Sequence, residues 1–115
     1  MKIQRIKTGP RMSQAVIYNK TVYLAGQVAA GATVAIQTRE ILSTIDGLLA
    51  EAMTDKSRLL SATIWLTDMA TFAEMNSVWQ SWVVQGETPA RATVLSPHLA
   101  SGEFKIEIAV IAAQA

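Results

Sequence analysis

Arg91 and Glu107 are charges set into runs that otherwise read as buried strands, TPARATVL at residues 88–95 and KIEIAVIA at residues 105–112. A guanidinium presents a planar fork of donors that fits a carboxylate, and a glutamate in a dehydrated pocket gains the proton affinity that acid–base work needs. Together they are suited to holding a small carboxylic acid and activating a water. The same two residue types are also suited to a structural salt bridge, with each other or with another copy of the chain, and residue type alone leaves both readings open.

Other groups offer less. His98, the only histidine, follows Ser96-Pro97 in a loop-like stretch and is read as solvated. Ser13 has neither a second histidine nor an elbow motif to support nucleophilic catalysis, and the glycines of residues 26–31 lack dinucleotide-loop spacing. With no cysteine there is no thiolate, disulfide or Cys-based zinc site. The carboxylates Asp46, Glu51, Asp55, Asp68 and Glu74 are dispersed, so no metal-ligand cluster is visible. Trp79 and Trp82 stand at helical spacing, which favours core or interface packing over a ligand platform.

The elements that must position Arg91 and Glu107 follow from periodicity. Between residues 34 and 53, Ile41, Ile45, Leu48 and Ala52 recur at steps of three and four, which predicts an amphipathic helix. Phe72, Met75, Trp79, Trp82 and Val83 predict a second over 70–84, with capping oxygens at Thr67-Asp68. Strands are expected at 2–7, 14–19, 21–25, 59–67, 90–95 and 104–113, the second and third joined by an Asn19-Lys20 hairpin turn. The order β-β-β-α-β-α-β-β implies an α+β sheet with both helices on one face.

In the last strand Ile106, Ile108 and Val110 alternate with Glu107, Ala109 and Ile111, so both faces become apolar toward its end. Two helices on one face leave the other bare. We therefore expect a homo-oligomer built on the helix-free face.

The 115 residues suit one domain, residues 1–115, and a chain that is 50% hydrophobic and 17% charged has the apolar surface to fold. A net charge of +1 with scattered basic residues gives no footprint for nucleic acid or anionic lipid. No apolar stretch approaches the ~20 residues of a membrane span, and the start MKIQRIKTG lacks a signal-peptide core, so a cytoplasmic location is expected.

The series GPRMSQAV (9–16), VYLAGQVA (22–29), FAEMNSVW (72–79), TPARATV (88–94) and KIEIAVIA (105–112) resembles the RidA/YjgF family of reactive imine and enamine deaminases in order and spacing. The resemblance implies a chorismate-mutase-like α+β fold assembled as a trimer, with the sheets forming a central barrel, the helices outside and ligand clefts between subunits. It implies that Arg91 holds the substrate carboxylate and that Glu107 positions or deprotonates the attacking water. Gly26 and Thr93 would offer backbone to the cleft, and Asn76 would lie near it. No cofactor and no metal are implied. Where deaminases of the family carry a tyrosine after Gly-Pro this chain has Arg11-Met12, and where they carry serine before Gly-Gln it has Ala25. Both changes remove hydroxyls, and Arg11 offers a second cation. The activity implied is hydrolysis of 2-imino or enamine acids to 2-keto acids and ammonia; the alternative is a non-catalytic trimer that binds small carboxylates or a protein partner.

Overall fold

The computed structural model describes residues 2–115; Met1 lies outside them. Strands β1 (Gln4–Thr8), β2 (Ser13–Tyr18) and β3 (Thr21–Leu24) form an antiparallel meander. Helix α1 (Val34–Glu51) leads to β4 (Leu59–Leu66), helix α2 (Phe72–Trp82) to β5 (Ala90–Leu95), and β6 (Ile106–Ala113) ends the sequence of elements. The sheet order is β1-β2-β3-β6-β4-β5, so the last strand inserts between β3 and β4. Only β4 and β5 run parallel, as the α2 crossover between them requires.

Local chemistry accounts for the boundaries. Asn19 and Lys20 both adopt left-handed backbone, at φ 52° and 60°, which gives the two-residue turn that matches strand twist. Thr33 caps α1 by accepting the Ile36 N–H at 3.2 Å, and Glu74 of α2 adds its carboxylate to the same end by accepting from Ala35 at 2.8 Å. At the other end Met53, at φ 63°, takes the position usually given to glycine: its N–H bonds to Ala50, and the Thr54 N–H reaches back to Leu49. The helix therefore ends before residue 53. Asp68 caps a 3-10 turn (Met69–Thr71) rather than α2 itself, so the second helix begins at Phe72 and not at 70.

The last strand is also shorter than its apolar pattern. Phe104 closes a turn onto the Ser101 carbonyl, and the Lys105 N–H is taken by the buried side chain of Gln37 at 2.9 Å. The same amide donates to the Gly31 and Glu103 carbonyls. One α1 side chain thus ties two loops down and satisfies backbone groups that would otherwise extend the ladder.

The core lies between the sheet and the two helices. Ala15, Ile17, Val22 and Leu24 join Ala62, Ile64 and Leu66 of β4 and Ile106, Ile108 and Val110 of β6 beneath Ile41, Ile45, Leu48, Leu49, Met75 and Trp79 of the helices. Each fully buried isoleucine or leucine stabilises the fold by about 1.5–3 kcal/mol, so the alternate residues of β4 and β6 are held firmly to one face. Their neighbours Ser61, Thr63, Trp65, Glu107, Ala109 and Ile111 face away from the helices and are half-buried. Tyr23 on β3, 45% exposed, and Val94 on β5, 39% exposed, extend this uncovered face. Among the described residues no helix is long and apolar enough to cross a membrane.

Candidate functional site

Register decides where the two charges point. Arg91 is aligned with Ala62, whose side chain is buried beneath the helices, so Arg91 projects from the helix-bearing face of β5. Glu107 lies between buried Ile106 and Ile108 and is aligned with Trp65, so it projects from the opposite face. A salt bridge between them within one chain is therefore ruled out, as is a single-chain site that uses both. Among the described residues the one ion pair is Lys7 with Glu51, at 3.2 Å on the surface.

The first half-site surrounds Arg91. Its guanidinium makes no hydrogen bond or ion pair with a described residue; instead its Cζ stands 5.5 Å from the Trp79 ring centre and 5.9 Å from that of Phe72. Burial lowers the Arg91 pKa from its ordinary value because dehydration penalises the charged form, yet an arginine remains a cation under any physiological condition. Thr93, two residues along the same face, carries a buried hydroxyl with no partner. Buried polar atoms of this kind are usually completed by an ordered water or by a further group. Asn76, Gln80, Gln85, Thr88 and Trp79 share with Arg91 the wall of a depression of about 290 Å³. Asn76 and Arg91 are thus brought together, and Thr93 lies two residues along the same face of β5.

The second half-site surrounds Glu107. The Gln27 N–H donates to the Ile108 carbonyl at 2.8 Å and Ile108 returns the bond at 3.1 Å, which fastens the end of β3 to β6. That pairing lays Gly26 against the glutamate so closely that a β-carbon at position 26 would collide with the Glu107 carboxylate. The buried Gln27 amide is itself fixed by Gln14 and the Ala25 carbonyl, at 2.9 and 3.0 Å. Arg11 and Met12 form the exposed tip of the β1–β2 hairpin, closed by the Gly9 N–H on the Met12 carbonyl. Since β2 and β3 are joined at that end by the Ala25 N–H on Gln14, the tip lies at the Gly26 end of the sheet and away from Arg91's edge.

Three aromatic residues were not singled out from the sequence as parts of a site. Phe72 and Trp79 bracket Arg91, and their spacing of seven, two helical turns, was a visible signal that core packing alone also explains. Trp65 adjoins Glu107 across β4 and β6 on the uncovered face, which becomes evident only once the strands are paired. His98 is exposed, and Ser13 shares a hydrogen bond with Thr8 at 2.9 Å. Among the described residues no three His, Cys, Asp or Glu side chains group as metal ligands would.

The contact between Gly26 and Glu107 makes a direct prediction. Gly26→Ala is expected to displace the Glu107 carboxylate while thermal stability falls by less than about 1 kcal/mol, because the obstructing atoms are the end of a flexible side chain. A crystal structure of the variant alongside a melting curve would show whether the two effects separate.

Comparison with known proteins places this architecture. Residues 2–114 match the family described as Endoribonuclease L-PSP. A RutC family protein of Haemophilus ducreyi is 42% identical over 113 residues, covering 96% of either chain. A 2-iminobutanoate/2-iminopropanoate deaminase of Bos taurus is 33% identical over 110 residues, covering 89% of this chain and 79% of its own. Among solved structures, a YjgF family member from Neisseria meningitidis superposes with a TM-score of 0.97 at 45% identity, covering 100% of this chain and 97% of that one. The relative at 42% bears only the family's name, and an activity is named for the one at 33%. The mixed six-stranded sheet with two helices, the matched span and these relatives agree: the chain belongs to the YjgF/RidA family, also called RutC or L-PSP.

Proposed function

We propose that this protein hydrolyses short 2-imino and enamine acids to 2-keto acids and ammonia, in a cleft where Arg91 of one copy meets Glu107 and Gly26 of another. The observation that carries this reading is the state of Arg91: a partly dehydrated cation with no counter-ion among the described residues, beside a buried Thr93 hydroxyl that also lacks a partner among them. A half-buried guanidinium whose donors face solvent and no acid among the described residues is suited to a carboxylate arriving at a subunit boundary. The naming of an imine deaminase among the relatives supports the same chemistry.

The uncovered face of the sheet supports the assembly. Ile111, Ala109, Tyr23 and Val94 leave apolar surface beside Glu107, and three copies closing their sheets into a barrel would bury it. Such closure turns the helices outward and brings the β5 edge of one copy toward the β6 face of the next.

The reaction asks little of the protein. An imine carbon is already electrophilic, so a held carboxylate and an oriented water supply most of what is needed. With the imine protonated, Glu107 takes a proton from the water as its oxygen bonds to the imine carbon, giving a neutral carbinolamine. It returns that proton to the nitrogen, and as the C–N bond breaks it takes the hydroxyl proton, so that ammonia leaves, the 2-keto acid forms and Glu107 passes its proton to solvent or to the departing ammonia. An enamine enters the same sequence after protonation at carbon. Neither a metal nor a covalent nucleophile takes part in this scheme.

A second reading has its own support. Ala25 and Met12 stand where the resembled deaminases carry hydroxyls, which favours a trimer that captures small carboxylates, or a protein partner, without turnover. The deciding experiment measures ammonia and keto-acid release from 2-imino acids generated in place by an amino-acid oxidase. Acceleration by the native protein that disappears in a folded Arg91→Ala variant supports the deaminase. No acceleration across imines of several side-chain sizes overturns it in favour of the binding module.

A further inference from the structure

Arg91, half-buried, is flanked by two aromatic rings and by no anion among the described residues. Phe72 opens α2 and Trp79 follows two turns later, so both project from the same side of the helix toward β5. Both ring centres fall within the ~6 Å over which an aromatic face attracts a cation. Trp79 is buried and braced by Trp82, with ring centres 5.4 Å apart and planes tilted by 49°. The Trp82 indole N–H in turn donates to the Asp46 carboxylate of α1 at 3.1 Å. The bracket is therefore anchored through both helices.

We propose that Phe72 and Trp79 are positioning residues, whose π faces fix the Arg91 guanidinium while leaving its N–H groups free for an incoming carboxylate; the inference rests on the carboxylate-binding role given to Arg91 above. A carboxylate partner within the chain would fix the side chain equally well, but it would occupy the donors and cancel the charge. A ring attracts the cation without accepting its in-plane hydrogens. Arginine loses much rotamer freedom on binding, and a guanidinium already held in place loses less, so the bracket acts on affinity and not on the chemical step.

Phe72, 37% exposed, carries the test, because truncating buried Trp79 would also remove core packing. Phe72→Leu is expected to raise KM, and the dissociation constant for 2-oxobutanoate measured by calorimetry, about three- to fivefold, with kcat changed less than twofold. Phe72→Tyr, which keeps the ring, restores both. In the free protein the Arg91 Nε–H resonance, assigned by its absence from Arg91→Ala, is expected to lie shifted by ring currents and to move toward the position of a solvated arginine in Phe72→Leu. A folded Phe72→Leu variant with unchanged resonance and unchanged affinity would overturn the inference, as would failure of Phe72→Tyr to restore them. If the native protein neither turns over imines nor binds 2-oxobutanoate, the carboxylate role falls, and positioning by the rings then stands or falls on the resonance alone.

Discussion

Chains carrying Arg91→Ala and chains carrying Glu107→Gln, each nearly inactive alone at substrate concentrations below the native KM, are expected to regain about a quarter of native activity under those conditions when unfolded, mixed in equal amounts and refolded into common oligomers. The expectation follows from the faces the two residues occupy. Arg91 is aligned with Ala62 on the helix side of the sheet and Glu107 with Trp65 on the other, so under the proposed function each complete cleft would draw its arginine from one copy and its glutamate from the next. In random assembly the first copy supplies a native arginine half the time and the second a native glutamate half the time. Ammonia release from the mixture, compared with either variant alone, reads the result, and native mass spectrometry confirms that mixed oligomers formed. Mixed oligomers without recovered activity would refute a cleft shared between copies.

The single substitutions should differ in kind as well as in size. Removing a two-pronged, charge-assisted contact to the substrate carboxylate is expected to lower kcat/KM about 10³-fold in Arg91→Ala, mainly through KM. Arg91→Lys should recover only part of this, since an ammonium neither forms the planar fork nor stacks on Phe72 and Trp79 as a guanidinium does. Glu107→Gln is nearly isosteric but cannot take a proton from water, so kcat should fall by about 10²–10⁴ with KM little changed. A Glu107→Gln variant with native kcat would place the proton carrier elsewhere. A folded Arg91→Ala variant with native KM would remove the carboxylate contact from the mechanism.

Much of the fold was legible in the residues themselves. A period near 3.6 at Ile41, Ile45 and Leu48, and a period of two at Ile106, Ile108 and Val110, follow from where successive side chains point, and each requires only near neighbours. The Asn19-Lys20 turn was equally local, because it depends on the backbone conformation of two residues. The sequence also showed that Arg91 shares a face with Thr93, and Glu107 with Ala109 and Ile111. The family resemblance extended this to candidate roles that local pattern alone does not supply. Boundaries slipped where a distant group intervened: the last strand starts at Ile106 because Gln37, far off in α1, takes the Lys105 N–H.

What the sequence by itself determined, then, was the identity of each element and which residues share its faces, since both depend on interactions a few residues long. Only the tertiary structure decided how the faces of different elements relate. β6 is last in the chain yet pairs between β3 and β4, and its register with β4, together with that of β5, sends Glu107 and Arg91 to opposite sides of one sheet. No local preference encodes that outcome. It is set when Ala62, Ile64, Ile106 and Ile108 are buried together beneath the helices, because shifting one strand by a single residue would expose every one of its buried side chains. The same burial places Gly26 against Glu107 and the rings of α2 against Arg91, contacts between residues far apart in the chain that no local pattern announces.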